Sequence, residues 1–456
     1  MKNFNKNIRL CCFLISVIVG IFFSCKKIIA IDPPINESVT SKIFNSDASA
    51  LSALEGLYVT FLNKFDDRYA VLPFLSSDEL ITIGDYMDFN TNTLRVDDGD
   101  IANKWNNLYN LIYQSNSIIE GVQGSSSLSL GIRNQLLGEA KFMRAFMHFE
   151  LLNLYGDVPL ITTTDVRINS IAFRKPADIV YQQIIADLKD AQILLKDAYE
   201  SVDRARVNKN AATALLARIY LYQKDYGNAE IQSTELINNS ALYKLETLNN
   251  TFLKSSRETI FQIANTNGYT MIARTFIPGS GASKVNYFYT SSFKNTIESG
   301  DQRKINWMNV ISIGGIQYLY PYKYKKLSST ASLQPEYLVV FRLAEQYLIR
   351  AEARAQMATD LKLKEAREDL NVIRKRAGLQ DNQQESKVEL LYAIERERQI
   401  ELNTESCHRW FDLKRTQRID AVMSLIKPNW RPSASLYPIP ASDLRSDHNL
   451  IQNVGY

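Results

Sequence analysis

The chain has 456 residues, 45% hydrophobic and 22% charged, with a formal net charge of +4 at pH 7. That length is ample to bury a core, and the ordinary globular composition excludes a disordered or fibrous polymer. Five positive residues (Lys2, Lys6, Arg9, Lys26 and Lys27) lie in the first 27 positions; the remainder is close to neutral, which argues against a nucleic-acid-binding face.

The elements follow in chain order. Lys2, Lys6 and Arg9 precede a 14-residue run of apolar or small residues, 10–23. A bilayer-spanning helix needs about 20 such residues, so 1–24 reads as an export signal. Ser24 then precedes Cys25 in the shape of a lipoprotein cleavage site, although Phe22 and Phe23 stand where Leu and a small residue are commoner. Cys25 is expected to become the acylated, palmitate-bearing first residue; the alternative is an ordinary signal peptide with a chance cysteine. Cys11 and Cys12 leave with the signal, so Cys407 has no disulfide partner and no disulfide framework is expected. Several acyl chains, at about 0.8 kcal/mol per buried CH₂, give stable attachment. A tether, 25–40, follows, and Pro33-Pro34 stiffens it into a spacer.

Helical periodicity begins after Ser46, a plausible N-cap for Leu51, Leu54, Leu57, Tyr58 and Phe61. A helix over 101–121 carries Trp105, Leu108, Tyr109, Ile112 and Ile119 on one stripe, which makes Trp105 core. Another, 132–155, ends at Gly156 and Pro159. Pro176 suits a first helical turn and opens a helix to about 195. The stretch 208–239 reads as a helix pair with a turn at Lys224-Asp225, where Ala217 and Ala229 let the backbones approach around Tyr220. This spacing resembles a tetratricopeptide repeat. A looser pair spans 341–376, with Ala351, Ala353 and Ala355 before a turn near Thr359-Asp360 and Ala366 and Leu370 after it. The expected fold is mainly α: a helical-repeat scaffold over about 41–65, 101–240 and 337–420, within one domain, 41–456. Loop-rich stretches at about 66–100 and 247–336 interrupt it. The second holds short alternating strands such as 259–263. Long aromatic-rich loops point to a ligand site.

Several segments are similar to the SusD/RagB-like nutrient-binding family. CKKIIAIDPPIN (25–36) looks like its post-lipid segment, and GEAKFMRAFMHFELLNLYGDVPLI (138–161) resembles its most recognisable helix and exit. AATALLARIYLYQKDYGNAE (211–230), AEQYLIRAEARAQM (344–357) and LNVIRKRAGL (370–379) resemble its repeat blocks. ERERQIELNTESCHRWFDLKR (395–415) and LYPIPASDLRSDHNLIQNVGY (436–456) resemble its C-terminal signatures. The ordered set spans nearly the whole mature chain. Two departures stand out: the segment 405–409 is one residue longer than the pattern, which points to a local bulge. In addition, Lys26-Lys27 replaces the acidic run associated with surface export. The resemblance implies a tetratricopeptide-like scaffold with a loop-rich ligand-binding insertion. It implies an outer-membrane lipoprotein facing the cell exterior that captures an oligosaccharide or a peptide and hands it to a SusC-like TonB-dependent transporter barrel. The alternative is a periplasmic helical-repeat scaffold that binds proteins only.

No catalysis, cofactor or metal is expected. Adjacent residues on a helix point about 100° apart, so Cys407-His408 cannot work as nucleophile and base. His148, His408 and His448 lack metal-ligand spacing. The carboxylate pairs Asp78-Glu79, Asp97-Asp98 and Glu395-Glu397 are of a kind that any chain of this size has, and acid–base work needs a defined separation across a cleft that a sequence does not display; Gly314-Gly315 reads as a turn. The Arg and Glu residues of 395–401 and 409–415 are expected to lock helices together, with Trp410 a core anchor. For a sugar, aromatic rings stack on C–H faces while Asp, Asn and Arg bind the hydroxyls. The candidates are Asp67, Arg68, Tyr69, Asp78, Tyr86, Asp88 and Asn90 in the first loop. In the second they are Tyr287, Tyr289, Trp307, Tyr318 and Tyr320.

Overall fold

The computed structural model describes residues 42–456 except 66, 67, 266 and 329–334. The expected export signal, Cys25 and the tether lie outside the described residues. None of the described helices is long and apolar enough to cross a membrane.

Among the described residues, nine long helices form the scaffold: α1 Asp47–Phe65, α2 Gly99–Gly124, α3 Leu130–Tyr155, α4 Ala177–Leu194, α5 Lys209–Tyr222, α6 Tyr226–Asn238, α7 Leu343–Met357, α8 Asp360–Arg376 and α9 Lys387–Glu401. Their starts carry local caps. Ser46 Oγ accepts from the Ser49 amide, Asp98 from the amides of Asp100 and Ile101, and Asn208 from that of Ala211. At α9, Ser386 Oγ accepts from the Glu389 amide and donates to the Glu389 carboxylate. Pro176 sits one position earlier than expected, as the N-cap of α4. Each helix from α1 to α8 packs on the next, and α9 covers α7 and α8. This is the helical-repeat arrangement, in which apolar stripes are buried against neighbours. At the α3–α4 approach, Gly138 is required, since a Cβ there would stand 2.6 Å from Leu195 Cγ.

The second helix pair starts later than expected. Phe341 belongs to strand β8 (Leu338–Arg342), and the helix begins at Leu343. The cause is tertiary: β8 pairs with β4 (Thr259–Ile263), Thr259 opposite Arg342 and Ile263 opposite Leu338. All five β4 residues are buried, so the strand is enclosed on both faces. The remaining strands form three more two-stranded antiparallel ribbons: β1 Leu80–Thr82 with β5 Tyr287–Tyr289, β2 Val158–Pro159 with β3 Arg174–Lys175, and β6 Met308–Ile313 with β7 Ile316–Pro321.

A buried charge cluster joins the 247–336 stretch to the end of α9. Arg342 donates to Glu258 (2.9 Å), to Glu401 (2.5 Å) and to both oxygens of Glu405 (2.7 and 2.9 Å). Arg303 holds Asp301, Glu397 and Glu401. Arg376 pairs with Glu258 and Glu401, and Lys323 with Glu405. In the segment after α9, Thr404, Ser406 and Cys407 have φ of 52°, 41° and 58°. Left-handed backbone at three non-glycine residues is held only by such surroundings. The expected locking role of the Arg and Glu residues is visible here and in the pairs Arg398–Asp412, Arg409–Asp78 and Arg415–Glu352.

Candidate ligand-binding face

The two loop-rich stretches meet through β1 and β5. Their register sets Leu80 opposite Tyr289, Ile81 opposite Phe288 and Thr82 opposite Tyr287. Side chains alternate across a strand, so one residue in two faces out. In β5 the outward residue is Phe288, and in β1 it is Ile81, both half-buried. The Phe288 ring meets Tyr318 of β7 edge-on, with centroids 4.9 Å apart. Beyond Thr82 the chain turns, with the Thr82 hydroxyl donating to the Asp85 carbonyl and accepting from the Gly84 amide. This turn exposes Ile83, Asp85 and Met87 and leaves Tyr86 half-exposed, at φ 65°. The antiparallel pairing brings Lys284 and Asn286, both exposed, to the same end. The short helix Met271–Phe276 packs on the 3₁₀ turn Arg68–Val71 and on β5. From its last turn, Arg274 donates to the Tyr269 hydroxyl (3.2 Å). By the same alternation the exposed Asn286 lies on the face of Phe288.

The structure distributes the twelve sequence candidates unevenly. Tyr86, Asp88, Asn90 and Tyr318 are half-buried, and of these Tyr318 meets the outward Phe288 ring. Asp67 lies outside the described residues; the backbone of Arg68 and Tyr69 forms the 3₁₀ turn. Five candidates point inward instead. Trp307 is fully buried; its Nε1 donates to the Leu248 carbonyl, and Lys323, Arg342 and Arg376 stand 4.9, 5.7 and 5.5 Å from its ring. The charge cluster therefore rests on Trp307, and its ring has no open face for a ligand. Tyr289 is buried, donating to Asn403 Oδ1 (2.6 Å) and stacked on Phe293; Tyr287 is buried against Phe276, and Tyr320 is buried near Tyr322. Asp78 is buried and bidentate to Arg409, with both contacts at 2.7 Å; it ties the first stretch to the C-terminal third. Phe288, Asn286 and Tyr269 escaped sequence reasoning, because a three-residue run of YFY does not reveal its phase.

The carboxylate pairs have structural partners. Burial, reinforced by neighbouring Asp78, pushes Glu79 up to about 8, and its Oε1 accepts the Thr404 amide. Asp98 caps α2, and Asp97 meets Arg95. Glu395 pairs with Arg409 and Arg418, and Glu397 with Arg303 and Arg374. Burial holds the Cys407 thiol well above its ordinary value and His408 well below its own, so the first is a thiol and the second a neutral ring. Trp105 is buried, as its stripe implied.

Comparison with known proteins bears on this arrangement. Residues 71–221 match a family model described as "Starch-binding associating with outer membrane", and 265–456 match that of the SusD family. SusD-like protein P38 of Formosa agariphila is 25% identical over the full length of both chains. P2 of the same organism is 25% identical over 92% of this chain and 94% of its own. The match to P25, 26% identical, covers 49% of this chain and 46% of that relative, less than half its length. Among solved structures, a SusD superfamily protein from Parabacteroides distasonis superimposes with a TM-score of 0.77, 23% identity and coverage of 90% and 99% of the two chains. A laminarin-binding SusD-like protein gives 0.75, 22%, 90% and 99%. At such identities the likeness establishes the fold.

Proposed function

The chain belongs to the SusD/RagB-like family, and on that premise we propose that it is a lipid-anchored binding protein of the outer membrane that captures an oligosaccharide without breaking any bond. The pairing of β1 with β5 carries this reading, because it gathers outward rings and polar groups from two distant stretches onto one face. Phe288, Tyr318 and Tyr86 supply apolar surface for sugar C–H faces. Asp85 and Asn286 supply donors and acceptors for hydroxyls, and leaving one of them unpaired rejects a wrong ligand. Cys25 carries the lipid, and a SusC-like TonB-dependent transporter receives the cargo.

Because one fold neighbour is described as laminarin-binding, laminarin is the first probe, followed by a glycan array. Phe288→Ala and Tyr318→Ala should each weaken binding about 5- to 30-fold, from about 1–2 kcal/mol per ring, while leaving far-UV circular dichroism unchanged. Pull-down from gently solubilised outer membranes should recover a large barrel. Binding to no glycan on the array would refute the capture role; recovery of no barrel would refute the hand-over.

A further inference from the structure

A second concave surface, which shares no lining residue with the β1–β5 face, lies between α2, the 159–172 segment and the C-terminal helix Ala441–Ser446 with the residues that follow it. It is open to solvent, with a volume of about 350 Å³, within the usual range for small-ligand pockets. We propose that this groove is an accessory site for a neutral oligosaccharide, a proposal that rests on the glycan-binding reading above.

Its floor is aromatic. Trp105, Tyr109 and Tyr113 follow one another at i, i+4 and i+8 on α2, so they climb one helix face in steps of about 6 Å. Trp105 and Tyr109 have centroids 4.8 Å apart, and Tyr113, 45% exposed, forms the open end. Trp105 is buried and backs Tyr109 from beneath, so Tyr109, half-buried, and Tyr113 are the rings that a sugar can meet.

The walls are set before any ligand arrives. The Tyr109 hydroxyl donates to the Pro159 carbonyl (2.9 Å). Asn116 Nδ2 donates to the carbonyls of Ile161 and Thr163. Asn449 Nδ2 donates to the Ile171 carbonyl, which fastens the far walls to each other. Preorganisation of this kind lowers the entropic cost of binding.

The rim sets the ligand class. It presents Asn169, Ser170, Ser446 and Asp447, while Asp443 holds Trp105 Nε1 at 3.1 Å. The two lining carboxylates have no lining cation to offset them, so uronate, sulfate or phosphate groups are disfavoured and hydroxyl donors favoured. Apolar side chains outside the rim, Ile171 and Phe173, suit a protein contact, but the polar rim itself is poorly matched to a dry protein–protein core.

Hydroxyl-radical footprinting of the full mature protein tests the site, with a pool of neutral hexasaccharides (laminari-, malto-, cello-, manno- and xylo-) at millimolar concentration. Tyr113 and Leu450 should be protected, and protection should persist in Phe288→Ala. In Tyr113→Ala, Leu450 protection should require about tenfold more sugar, whereas Tyr113→Phe should behave as the native protein. Protection of Phe288 and Tyr318 with none at Tyr113 or Leu450 would overturn the accessory site alone. Protection at neither face would overturn both readings. Protection of Tyr113 by a co-purifying outer-membrane protein, with none from any sugar, would make the groove a protein interface and overturn the proposal.

Discussion

Replacing Arg342 with methionine should destabilise the protein by about 3–5 kcal/mol at pH 7. Arg342 has 2% side-chain exposure and meets Glu258, Glu401 and Glu405 within 2.9 Å. At an effective dielectric of about 20, one pair about 4 Å apart is worth about 4 kcal/mol, so three amount to about 12 kcal/mol gross. Desolvation of the guanidinium and its carboxylates cancels most of that. What remains after truncation is the penalty of three carboxylates left with Arg376, Arg303 and Lys323 alone. Arg342→Lys keeps the charge but loses the fork that reaches all three, so it should recover only part of the stability. The assay is urea unfolding followed by far-UV circular dichroism, read as a midpoint shift at constant slope. The pH dependence has a definite sign. Burial alone would raise Glu401 and Glu405, but the surrounding cations outweigh it and hold both below the ordinary carboxylate range. Their contribution is present above about pH 4.5 and is lost as pH falls through the lower folded values. The gap between native and Arg342→Met proteins should therefore narrow below pH 4.5. A loss under about 1 kcal/mol at pH 7, or one as large at pH 3, would refute this account.

Three further expectations follow from the same geometry. Asp78→Ala leaves Arg409 buried without its bidentate partner and should cost about 3–5 kcal/mol of stability; reduced glycan affinity with unaltered stability would restore Asp78 as a ligand residue. Glu79 is held protonated up to about 8 by burial and Asp78, so between its ordinary value and 8 the unfolded chain ionises while the folded one does not, and stability falls as pH rises. Glu79→Gln removes that slope, so its Tm relative to the native protein should climb from pH 5 to pH 8, and a constant difference would count against the assignment. Gly138→Val forces branched side-chain atoms onto Leu195 at the α3–α4 contact and should cost about 1–3 kcal/mol; an unchanged unfolding midpoint would show that the two helices separate freely.

The sequence alone determined the scaffold, since periodicity at 3.6 residues, capping residues and small-residue contacts such as Ala217 and Ala229 act between neighbours a few positions apart. It determined equally that Trp105 and Trp410 are core, because each sits on a helix stripe whose direction is set locally. Tertiary structure decided the rest. Tyr287 and Tyr289 face inward and Phe288 outward only because β1, some 200 residues earlier, pairs in that register; a one-residue slip would reverse all three. Trp307 reads as a loop aromatic until Arg342, Arg376 and Lys323 arrive from separate segments and close over it. Asp78 reads as a loop carboxylate until Arg409, 331 positions away, claims both its oxygens. A buried charge must find its counter-charge wherever the fold brings one within reach, and that distance is a property of the folded chain, not of the order of its residues.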